Sequence, residues 1–90
     1  MPHIKPEDRK RLDFHIENMS PYIRTDGELN YCITRLVLRF LAGRVNYLNL
    51  AGVVGTLHLI STELERRVIT PYEDRKIVEN GDVAEYHDGV

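Results

Sequence analysis

An all-α fold, a compact bundle of two long helices and two shorter ones, is what this sequence predicts, and three observations predict it. Apolar residues recur at the helical period through three separate stretches. Paired start signals stand at Thr25 with Glu28 and at Thr70 with Pro71 and Glu73. Gly43 and Gly81 stand where helices would stop. The long helices are expected over about 26–42 and 46–69 and the shorter ones over about 6–20 and 71–80, followed by an irregular acidic tail. A chain of 90 residues has room for one hydrophobic core, so residues 1–90 are expected to form a single helical domain.

The first helix is expected to start at Pro6, because proline suits the first helical position and Glu7 and Asp8 then meet the positive end of the helix dipole. Leu12, Ile16 and Met19 give it one apolar face, while Phe14 points elsewhere, as a surface residue or an interface contact. Pro21 and the Thr25-Asp26-Gly27 turn interrupt the pattern, after one more short turn through Tyr22 and Ile23. Thr25 and Glu28 then form a capping box, each side chain satisfying a backbone N–H that the first turn leaves unpaired. Leu29, Cys32, Ile33, Leu36, Val37 and Phe40 follow as a broad apolar stripe until Gly43. Cys32 lies on that stripe and reads as a packed, inert thiol.

Asn46 is expected to cap the third helix. Its main face is Leu50, Val53, Val54, Leu57, Ile60, Leu64 and Val68. The opposite side carries Leu48, Ala51, Gly52, Gly55, Leu59 and Thr62, which are apolar or small rather than charged. A helix apolar nearly all round must be covered nearly all round. Two interior glycines each cost about 1 kcal/mol of helix propensity, and close approach of another helix is the simplest compensation. With one other long helix available, these six residues are expected to meet a second copy of the chain. Thr70, Pro71 and Glu73 are expected to open a fresh short helix that Gly81 closes.

Composition limits the function classes. Apolar residues make up 42% and charged residues 29%, which is globular, yet a chain this short buries only roughly 60–65% of its unfolded surface. The net charge of −2 argues against a nucleic-acid partner bound through phosphates. Arg24, Arg35, Arg39 and Arg44 make the middle basic and Glu79, Asp82, Glu85 and Asp88 make the end acidic. One cysteine excludes an internal disulfide and the cysteine-rich zinc patterns. The residues from Met1 to Pro6 lack the apolar run of a signal peptide, and no stretch approaches the ~20 apolar residues of a membrane span, so a cytoplasmic location is expected.

No catalytic set or metal site can be assembled from local spacing, and no cofactor is expected. His3, His15, His58 and His87 are scattered, without an i, i+4 pair. Glu79 and Asp82 have the one-turn spacing that magnesium-dependent nucleotide hydrolases use, but Gly81 breaks the helix between them. What stands out is arginine beside aromatic rings: Tyr31, Arg35 and Arg39 on the second helix, Arg66 and Arg67 at the end of the third next to Tyr72, with Tyr47 between. Guanidinium forks grip phosphate and rings stack on bases, so these seven residues are the candidate ligand-binding set. Protein interfaces favour the same residue types.

Gly27-Glu28-Leu29-Asn30-Tyr31-Cys32-Ile33-Thr34, Pro71-Tyr72-Glu73-Asp74-Arg75-Lys76 and Glu79-Asn80-Gly81-Asp82-Val83 resemble a family of small uncharacterised proteins of tailed phages and bacterial genomes. Gly43 to Leu57 fits as well, so the likeness covers most of the chain. It implies a phage or prophage setting and brings no activity or catalytic residue with it. In such settings small helical oligomers sometimes sequester nucleotide messengers of host defence, an analogy of size and fold alone. The function expected is therefore a non-enzymatic homo-oligomeric binding or interaction protein, with itself or a host protein as partner. The alternatives are capture of a small phosphorylated ligand and, third, metal-dependent nucleotide hydrolysis.

Overall fold

The computed structural model describes residues 4–89, in which every regular element is helical. His3 lies outside the described residues. Helix α1 spans Pro6–Met19 and a 3₁₀ turn, Ser20–Tyr22, continues it. Helix α2 spans Asp26–Leu41, α3 Tyr47–Leu64, a π turn Glu65–Ile69, α4 Thr70–Asn80 and α5 Ala84–His87. The chain divides into two compact units, Met1–Ala51 and Gly52–Val90.

In the first unit the expected start signals hold. Pro6 opens α1 with Glu7 and Asp8 in its first turn. The Thr25 hydroxyl accepts the Glu28 N–H at 3.1 Å, and the Glu28 carboxylate accepts the N–H of Thr25 at 3.0 Å and that of Arg24 at 2.8 Å. One carboxylate thus ties down two orphan donors at the entry of α2. Gly43, at φ 75°, turns the chain out of α2, as its missing Cβ permits. The Arg44 N–H donates to the Leu41 carbonyl at 2.8 Å. Asn46 caps α3 by accepting the Asn49 N–H at 2.8 Å, while the Asn49 amide donates back to the Arg44 carbonyl at 2.6 Å. Leu41, 7% exposed, sits at this turn and is the one buried hydrophobic residue among the described residues.

The second unit departs from expectation at two places. Thr70 caps nothing: both Ile69 and Thr70 are in the α region, and helix runs from Tyr47 to Asn80 without a non-helical residue. The helix expected to stop near residue 69 and restart at Pro71 therefore continues. Its reason is the π turn. A proline inside a helix lacks the N–H and presses its ring on the carbonyl four residues back, here that of Arg67. Widening the preceding turn relieves the clash, and the Thr70 N–H accordingly bonds the Glu65 carbonyl, five residues back. The second departure is the tail, which was expected to be irregular and holds α5 over Ala84–His87. Gly81, at φ 83°, ends α4 as expected.

Helices form where the apolar period places them, but a compact bundle is not found inside either unit. Within the first, α1 touches the 3₁₀ turn that extends it and does not lie along α2. Within the second, α4 meets the π turn and packs along no other helix. Cys32, Val37 and Val53 are half-buried, and the remaining stripe residues are exposed. Replacement Pro71→Ala restores the missing donor and should raise the helical signal at 222 nm and stabilise the chain by up to ~3 kcal/mol in urea titration. A loss of helicity in that variant would mean that Pro71 starts a separate helix after all.

Candidate functional site

On α2, Tyr31 and Arg35 come together as their spacing requires, the guanidinium carbon 6.0 Å from the ring centroid. Arg39 follows one turn later, in the last turn of α2, where a cation suits the negative end of the dipole. Tyr31 stands between two shallow depressions. One lies where the 3₁₀ turn meets the start of α2 and is lined by Met19, Tyr22, Ile23 and Cys32 among others. The other is lined by Asp26, Gly27, Asn30, Tyr31 and Thr34. In the first the Glu28 carboxylate is already occupied by the capping N–H groups, so the surface offered is mainly hydrocarbon and ring. Tyr47 opens α3 and is exposed.

In the second unit the predicted grouping changes. Arg66 and Arg67 lie in the π turn, and Arg67 reaches back to the Glu63 carboxylate at 3.5 Å. The Tyr72 ring instead receives Lys76, its ammonium 5.6 Å from the centroid, and Arg75 at 6.0 Å. Lys76 also bonds Glu79 at 3.1 Å. The shift follows from Pro71 lying inside a helix: side chains three and four residues after Tyr72 lean back toward the N-terminus and over its ring. The four candidate arginines thus fall two to each unit, with Arg35 stacked on an aromatic ring and Arg67 on a carboxylate. Arg75 and Lys76 are not among the residues predicted from the sequence, although their i+3 and i+4 spacing from Tyr72 is the signal that marks them. Arg44, also outside the predicted set, stacks on Phe40 at 5.0 Å across the end of α2.

The six residues on the back of α3 remain open. Leu48 is 78% and Leu59 68% exposed, and Ala51, Gly52, Gly55 and Thr62 are exposed too. A Cβ added at Gly52 or Gly55 would meet nothing within 4 Å. Among the described residues of its own unit, none makes the close helix approach expected at Gly55. Of the acidic pair weighed for magnesium, Glu79 is held by Lys76 and the Asp82 carboxylate accepts the Val83 N–H at 2.7 Å. Among the described residues no three His, Cys, Asp or Glu side chains are grouped to hold a metal, and no helix is long and apolar enough to cross a membrane.

Fold and surface together define an all-helical protein with arginine–aromatic pairs and an uncovered apolar helix. The chain belongs to the family described as a domain of unknown function (DUF6899), whose model matches residues 1–83. No curated protein and no solved structure matches it.

A double-mutant cycle distinguishes the cation groupings. Tyr72 and Lys76 should couple by about 0.5–1 kcal/mol, the range of an exposed cation–π contact, whereas Tyr72 and Arg66 should add independently. Denaturant midpoints of Tyr72→Leu, Lys76→Gln, Arg66→Gln and the two doubles supply both values, and coupling to Arg66 alone would restore the original grouping.

Proposed function

We propose that this protein is a non-enzymatic homo-oligomer acting as a binding or interaction protein, with helices of neighbouring copies completing the bundle that neither unit forms by itself. One observation carries the reading. Inside each unit no helix lies along another, and the apolar faces stay open. Apolar helices left open in this way suit an obligate assembly, whose interfaces resemble a domain core cut in half. Large apolar side chains supply much of the exposed surface: Phe14, Leu36, Leu38, Phe40, Leu48 and Leu59 are all exposed. In this reading residues 1–90 act as one helical domain whose core is shared between copies. A phage or prophage setting, a cytoplasmic location and a host protein as further partner belong to the same proposal.

Light scattering on a sizing column tests it. An oligomeric mass at micromolar concentration is the expected result. A homogeneous 10.5 kDa monomer would overturn the proposal, because the exposed apolar surface would then have to be covered within one chain.

A second reading, capture of a small phosphorylated ligand, draws on the Tyr31–Arg35 pair and on the ring and two cations at Tyr72, Arg75 and Lys76. Guanidinium and ammonium groups beside rings meet a phosphate and a base together. A thermal-shift screen with mono-, di- and cyclic nucleotides should then raise the melting temperature, since a ligand at 100 times its dissociation constant adds ~2.7 kcal/mol. No shift with any phosphate-bearing compound leaves the interaction reading alone.

A further inference from the structure

Resting on the homo-oligomeric reading, we propose that two copies pair through the back of α3, antiparallel, about a two-fold axis passing Gly55. The occupant of this face is a second copy, and the face itself supports it: its large and small residues are self-complementary about Gly55, and a Cβ at Gly52 or Gly55 would meet nothing within 4 Å. Charge points the same way. From Tyr47 to Thr62 the helix has no Asp, Glu, Lys or Arg, so neither copy brings an ion that would have to be desolvated. The two sides of α3 also differ. On the main face Val53 is half-buried, Leu57 38% and Leu50 42% exposed, whereas Leu48 and Leu59 on the back are the most open leucines of the helix.

Orientation follows from the order of large and small residues. In an antiparallel pair centred on Gly55, the helical period puts Leu48 of one copy opposite Thr62 of the other, seven residues to either side of the centre. Gly52 falls opposite Leu59, Ala51 opposite His58, and Gly55 opposite itself. Every row joins a larger side chain to a smaller one, or glycine to glycine, so one helix separation suits them all. A parallel pair would set Leu48 on Leu48 and Leu59 on His58 while leaving Ala51 against Gly52. Bulk would collide at some rows and gaps would open at others, and uneven packing of this kind loses dispersion contacts. The geometry also accounts for two glycines in mid-helix. Their propensity cost is offset by backbone approach from the partner, and the open space at each Cβ within one copy is where that partner fits.

Cross-linking tests both face and direction. In a Cys32→Ala background, copies carrying Leu48→Cys are co-expressed with copies carrying Thr62→Cys and treated with a short bismaleimide. A mixed cross-linked dimer should be the main product, and Leu48→Cys alone should yield none above background, because its two thiols lie about 21 Å apart along the axis. Cross-linking by Leu48→Cys alone would overturn the antiparallel arrangement. No cross-link in any mixture whose mass by light scattering is oligomeric would place the interface elsewhere and leave the homo-oligomeric reading standing. A monomeric mass would remove both. Gly55→Leu supplies a second measurement: the mass should drop to monomer with the circular dichroism retained, while Gly55→Ala keeps the wild-type mass. An unchanged oligomer in Gly55→Leu would equally overturn the proposal.

Discussion

Everything about this chain turns on α3 being apolar on two opposite sides. From Tyr47 to Thr62 it carries no Asp, Glu, Lys or Arg, and apolar or small residues occupy two opposite sides of it. An ordinary surface helix settles its position by turning one side to the core and the other to solvent, and α3 has no such choice. The neighbouring helices cannot resolve this within either unit, where no helix lies along another. Hydrophobic cover scales with area removed from water, and Leu41 is the one buried hydrophobic residue among the described residues, so most of that driving force is still unspent there.

Against that deficit, local hydrogen bonding is well organised. The Thr25–Glu28 box, the Asn46–Asn49 exchange and the left-handed glycines at residues 43 and 81 satisfy helix ends without tertiary help. These devices define where helices begin and end. They do not supply a core, because each capped end contributes only about 1 kcal/mol. Local structure and packing are thus separable here: within each unit the helix ends are satisfied, while no helix lies along another.

That separation explains what could be read in advance. The boundaries at Pro6, Thr25, Gly43, Asn46 and Gly81 were legible because each rests on a residue's own chemistry acting over three or four neighbours. Thr70-Pro71-x-Glu73 carries the same start pattern, yet helical residues on both sides of it override the signal, and a helix can absorb a proline by widening one turn. The short helix at Ala84–His87 was missed because four residues are too few to display a period. Of the candidate ligand residues, Tyr31 with Arg35 was legible from spacing alone. The partners of Tyr72 were not, since choosing between cations before and after it required knowing that Pro71 lies within a helix.

The π turn has one more effect, on angular phase. A turn holding a surplus residue rotates everything beyond it by about 100° about the axis relative to an unbroken α-helix. Residues Glu65–Ile69 thereby act as a screw adjustment. Carried through the helical period, the adjustment swings Tyr72 and Lys76 round to the side that bears Leu57 and Leu64, from which an unadjusted helix would hold them well away. The hydrocarbon line of α3 consequently runs out into an aromatic ring overhung by two cations. Along a single edge the surface grades from purely apolar to polarizable to positively charged, and its polarity profile is set by one extra residue in a helix rather than by any change in composition.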